Sequence, residues 1–285
     1  MPRVKDEMVR EPVAATVPAT RRELLALFRS RGHAGFPVVK GDTRKLVGVV
    51  TRQHVFEQPD EAQVALLMDP NPPTTYPEAP LREAARLVVQ HRLRVLPVVN
   101  GANDLVGLLS PRELLTGIPI PNGHVASLLS RRLVPVHQAT PTNVALEVLR
   151  VTRATALPLL DDDGRFAGLV TDGDILAHMR VAETTVRSVA GLAAESDAWR
   201  WEGLREERSV RHGSRSLELP NVPVASIARR NVETLGPNAA LQEAVDLFLG
   251  GAVHHVPIVA DEGHIIDLLS ESDVLAALLP APPPR

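Results

Sequence analysis

The chain of 285 residues has no cysteine. That excludes disulfides, thiolate nucleophiles and Cys-ligated zinc, and fits a reducing compartment. Aromatic residues make up only 3%, so the cores must be aliphatic, and stacking platforms for single-stranded nucleic acid are scarce. No apolar run approaches the roughly 20 residues that cross a bilayer. The first residues, Met1 to Glu7, lack the apolar core of a signal peptide. Together these point to a cytoplasmic protein with no membrane partner. Neither sign of charge dominates: the net charge is −3, so no global field draws nucleic acid.

What the chain does have is proline, 25 residues of it, and repetition. Phe36-Pro37-Val38-Val39 returns as Leu96-Pro97-Val98-Val99, Leu157-Pro158-Leu159-Leu160 and Val256-Pro257-Ile258-Val259, with the prolines 60, 61 and 99 residues apart. Each copy continues through a polar turn into an apolar strand ending at Thr51, Ser110, Thr171 or Ser270. The proline-to-hydroxyl distances are 14, 13, 13 and 13 residues. Spacing this regular marks four copies of one unit.

The second copy shows the unit's plan. Thr74-Thr75-Tyr76 is a short β-type run, and Pro77 to Pro80 opens a helix whose apolar stripe is Leu81, Ala84, Ala85, Val88 and Val89. Val95 to Val99 and Leu105 to Leu109 read as a hairpin about Asn100–Asp104. Ser110-Pro111-Arg112-Glu113 carries a capping-box signature for a second helix. The order is strand, helix, strand, strand, helix. One such unit is too small to be stable alone, so the units should pair and bury their sheet faces. The divisions read from the sequence are 1–58, 59–118, 119–180 and 221–280, with an insertion at 181–220 and a disordered tail at 281–285. Consecutive neighbours should pair, one with two and three with four.

These residues resemble the cystathionine-β-synthase (CBS) domain: a hydrophobic-Pro-Val-Val phrase, a turn, Gly-hydrophobic-hydrophobic-Thr/Ser, and Asp three residues later. The resemblance covers all but the insertion and tail. It implies an α/β (α+β) fold of four tandem β-α-β-β-α units in two pseudo-two-fold Bateman modules, which often form a flat disc. It also implies clefts that bind adenosyl compounds, with the Thr/Ser and Asp holding the ribose. A carboxylate suits that task because it accepts hydrogen bonds from two hydroxyls. Thr171 with Asp174 and Ser270 with Asp273 match fully, although Asp267 stands in place of the usual Gly. Ser110 with Glu113 matches less well, and Thr51 is followed by His54, which cannot accept two such bonds. The same residues are also what a helix N-terminus requires.

Phosphate contacts could come from Arg132 and Arg230, each half of an Arg pair, and from His254 and His255. The extra acids Asp172 and Glu271 oppose a triphosphate, which favours S-adenosylmethionine or AMP over ATP. No metal is expected, because adjacent histidines on a strand face opposite ways. No nucleophile motif or phosphate-binding glycine loop suggests an enzyme. The expectation is therefore a non-catalytic regulatory sensor for an adenosyl ligand, a homodimer acting on an unidentified regulated protein. The rival is a ligand-free interaction scaffold. Within the insertion, 184–194 could form a helix with Val186, Val189, Ala190 and Ala193 inward. Trp199 and Trp201 leave open a packed excursion, a lid or a docking surface.

Overall fold

A computed structural model describes residues 2–130, 133–188, 210–251 and 253–279. The first unit contains α1 (Val4–Glu7), β1 (Val9–Arg10), β2 (Ala15–Val17), α2 (Arg21–Arg31), β3 (Gly35–Lys40), β4 (Leu46–Thr51) and α3 (Arg52–Glu57). The second contains α4 (Val64–Leu67), α5 (Leu81–His91), β5 (Leu96–Val99), β6 (Leu105–Leu109) and α6 (Pro111–Gly117). The third has a 3-10 turn at Val125–Leu128, β7 (Val136–His137), α7 (Thr142–Thr152), β8 (Ala156–Leu160), β9 (Phe166–Thr171) and α8 (Asp172–His178). An antiparallel ribbon follows, β10 (Arg180–Ser188) with β11 (Val210–Glu218). The fourth unit has a 3-10 turn at Val224–Ser226, α9 (Leu241–Gly250), β12 (His255–Val259), β13 (Ile265–Ser270) and α10 (Glu271–Ala277).

Each unit builds the expected sheet. The central hairpins pair as β3–β4, β5–β6, β8–β9 and β12–β13. A parallel first strand joins each through β2, Thr75, β7 and Leu235. One expectation fails: residues 184–188 are strand, not helix. Val181, Thr184, Thr185 and Val186 put β-branched residues where strand competes with helix. The rest of the helix proposed for 184–194, with Trp199, Trp201 and the tail, lies outside the described residues.

Units one and two pair, as do three and four, through an exchange that the repeat did not disclose. The first segment of each unit leaves its own body. Val4 N–H donates to Ala79 O at 3.0 Å, and β1 lies antiparallel to β6, so the start of unit one completes unit two. In return Val64 N–H donates to Ala19 O at 3.0 Å, and Val49 and Asp69 exchange both backbone bonds at 2.9 and 2.8 Å. The second module repeats this. Val125 N–H donates to Ala239 O at 2.9 Å, while Leu169 and Arg229 exchange bonds at 2.9 Å. Within the first module the sheets meet through Val39, Leu46, Val99 and Leu105.

The larger cores run between modules. Units one and three share one core, including Leu25, Phe28, Val55, Leu149 and Ile175. Units two and four share another, including Leu81, Leu114, Phe248 and Val274. Helices carry these joins, α2 and α3 against α7 and α8, and α5 and α6 against α9 and α10. The buried aliphatic side chains supply the dominant favourable term, as the scarcity of aromatics required.

Candidate functional site

The Thr/Ser-to-acid motifs sit at the strand-to-helix corners, where each hydroxyl residue caps a helix. Asp174 N–H donates to Thr171 Oγ1 at 3.2 Å, and Asp174 Oδ2 accepts from Thr171 N–H at 2.9 Å and Oγ1–H at 2.7 Å. In unit four Asp273 Oδ2 accepts from Ser270 N–H at 2.8 Å and Oγ–H at 2.5 Å. The hydroxyl proton is thus spent on the motif's own acid, and one carboxylate oxygen with it. What the motif can offer outward is the other oxygen, Oδ1.

The two full motifs differ there. Asp174 Oδ1 accepts from Arg229 Nε at 3.1 Å. Asp273 Oδ1 has no hydrogen bond among the described residues. Ser110 and Glu113 form the same cap, at 2.7 and 2.5 Å to Oε2. In unit one His54 Nδ1 accepts Thr51 N–H at 3.3 Å, and burial holds this histidine below its usual pKa. A neutral imidazole with its acceptor already used cannot hold a diol.

The remaining candidates are distributed unevenly. His254 Nδ1 lies 3.1 Å from Glu271 Oε1. His255 is buried, its Nε2 2.7 Å from Thr155 Oγ1. Burial first, then the charges of Arg94, His254 and Arg229, push its pKa down to about 3, so it is neutral near pH 7 and supplies no cation to a phosphate. Arg230 is exposed, and its neighbour Arg229 is the one that reaches the motif. Arg132 lies outside the described residues. No group of three or more metal-ligating side chains converges among the described residues.

The electrostatic reason for preferring a cationic ligand weakens in three dimensions. Asp172 is ion-paired with Arg52 of unit one at 2.7 Å, across the module boundary. Glu271 faces His254. The extra acids therefore already have partners. Within electrostatic reach of both is Arg94, a residue that sequence reasoning missed. It is half-buried, which lowers its pKa, while Asp172, Glu271 and Asp273 raise it. It makes no ion pair among the described residues. The signal was present: Arg94 stands three residues before its Pro97, as His254 does before Pro257.

Fold and corners together define a chain of four segment-exchanged βαββα units in two modules. The CBS domain profile matches residues 4–61, 63–119, 125–181 and 224–280, and the chain belongs to the CBS domain family. Protein MJ1225 of Methanocaldococcus jannaschii has a TM-score of 0.74 to it, with 97% of this chain and 99% of that one covered at 19% identity. A conserved protein of Pyrococcus horikoshii gives 0.61, with 98% and 100% covered at 23% identity. Among curated relatives, inosine-5'-monophosphate dehydrogenase of Korarchaeum cryptofilum is 31% identical over 113 residues, 39% of this chain and 23% of that protein. By sequence, MJ1225 is 29% identical over 151 residues, 53% of this chain and 47% of that protein. The chain spans about a quarter to a half of the length of the curated relatives it matches. No helix among the described residues is long and apolar enough to cross a membrane.

Proposed function

We propose that this protein is a non-catalytic sensor that binds an adenosyl ligand in the module of units three and four, its ribose on Asp174 and Asp273. The observation that carries this reading is the outward carboxylate oxygen left by each cap, with Arg94 in electrostatic reach of Asp172, Glu271 and Asp273. A carboxylate for a diol next to a guanidinium for an anion suits a nucleoside monophosphate. AMP is therefore placed first, S-adenosylmethionine second and ATP third. Arg94 offers one guanidinium, which matches one phosphate better than three. Binding would act on the regulated protein by changing the angle between modules.

One observation favours the rival scaffold reading: Arg229 already holds Asp174 Oδ1. Ligand-dependent melting separates the two. At a hundred times its dissociation constant a ligand stabilises by about 2.7 kcal/mol, roughly 5–11 °C for a chain of this size. AMP should produce such a shift, and Asp273→Ala should remove most of it. No shift with AMP, S-adenosylmethionine or ATP would refute sensing. A shift with S-adenosylmethionine alone would overturn the ranking.

A further inference from the structure

Aligned on the four prolines, the first helices of the units coincide, and unit three departs from the others on its solvent face. Val144 stands where the other copies have Glu23, Glu83 and Glu243, and Val151 where they have Ser30, Gln90 and Gly250. Val144 is 46% exposed and Val151 70%. With the partly buried Val148 they form an i, i+4, i+7 stripe on α7. The exchange of Glu for Val has a local cost. Glu23 accepts Thr20 N–H at 2.7 Å and Glu243 accepts Ala240 N–H at 3.2 Å, a capping contact that valine cannot make. A β-branched side chain on a water-facing helix surface gains nothing in return from propensity. Glu147 and Arg150 flank the stripe as an ion pair of no net charge.

We propose that this face of α7 is the contact between two copies of the chain, packed antiparallel about a two-fold axis at Val148. That symmetry sets Val148 against its own copy on the axis and Val144 of each copy beside Val151 of the other. It also brings Glu147 of one copy beside Arg150 of the other, so the flanking charges are self-complementary.

The test is sedimentation equilibrium of the full chain over a concentration series, which should reveal a species of twice the 30.8 kDa of one chain. Val144→Glu with Val151→Gln installs residues found in sister copies, so folding should be kept. Self-association should weaken about a hundredfold or more, with the far-UV circular dichroism unchanged. Because the chain has no cysteine, Val148→Cys supplies a second readout: oxidation should join two chains through that residue. Two results overturn the proposal: one-chain mass at every concentration up to the solubility limit, or a dimer that the double substitution leaves intact and Val148→Cys fails to cross-link.

Discussion

Asp172→Ala tests whether the two modules are held together where charge crosses between them. Arg52 and Asp172 are 2.7 Å apart, with side-chain exposures of 9% and 14%. The second guanidinium nitrogen donates to Gly32 O at 2.6 Å, and Arg52 Nε is buried without a partner. The guanidinium lies directly over Gly173, where an added Cβ would sit 2.7 Å from Arg52 Nη1. Removing the carboxylate leaves a buried cation with one carbonyl partner. Breaking a buried pair costs about 3–5 kcal/mol, and the remaining exposure of Asp172 sets the expectation at the lower end, about 3 kcal/mol. An exposed pair would be worth at most about 1 kcal/mol. Urea unfolding followed by far-UV circular dichroism would read the loss, and 0.5 M salt should change it little, since burial limits screening. Arg52→Met combined with Asp172→Leu should recover most of the loss, because a volume-matched apolar pair removes the stranded charge. A loss below about 0.5 kcal/mol for Asp172→Ala, or single effects that simply add in the double variant, would refute the reasoning.

Two further predictions bear on the exchange and on the buried histidine. Gly48→Ala would place a Cβ 2.6 Å from Asp69 O, where the exchanged segment lies on β4, and should cost about 1–3 kcal/mol. Gly101→Ala meets nothing within 4 Å and should stay within about 0.5 kcal/mol; equal costs in denaturation would sink this account. His255 is held at about 3, against an ordinary value near 6.5, so between those values the unfolded chain binds a proton that the folded chain refuses. Stability is then full near pH 7 and falls as the pH drops, by about 2 kcal/mol at pH 5. His255→Gln should flatten that slope in unfolding measurements at pH 7 and 5, and an unchanged slope would count against burial as its cause.

The sequence made the unit legible because its signals are local. Proline spacing, alternating strands and hydroxyl-to-acid caps each act within a dozen residues, and all four hairpins stand where the spacing places them. The exchange was not legible, because periodicity says that a segment has an apolar face and not which body covers it. Val4 fills the core of units two and four although it opens unit one. The same limit hid the inter-module cores and the role of Arg52, which reads as an ordinary first-turn residue until Asp172, 120 positions away, is placed beside it. At the site, the motif acids were legible, but the pairing of Asp172 and Glu271 was not, and the argument from extra negative charge failed there. The ribbon was misread because Val and Thr at 181–186 satisfy either period over so short a run.

The glycine that unit four lacks ties these observations together. Gly48, Gly107 and Gly168 lie where the exchanged segment crosses the last strand, with Asp69 O, Met8 Sδ and Arg229 O within 2.7 Å of where a Cβ would sit. In unit four Asp267 occupies that position, and its Oδ2 takes Ser130 N–H at 2.5 Å, a side chain doing what a ladder carbonyl does elsewhere. The crossing thus places a carboxylate on the strand that ends at Ser270. Asp267, the two full hydroxyl-to-Asp motifs and the valine stripe all lie in units three and four. Unit one meets that module through Arg52, which grips the first turn of α8 two residues before Asp174. A ligand that reorients Asp174 would act on the turn that Arg52 holds.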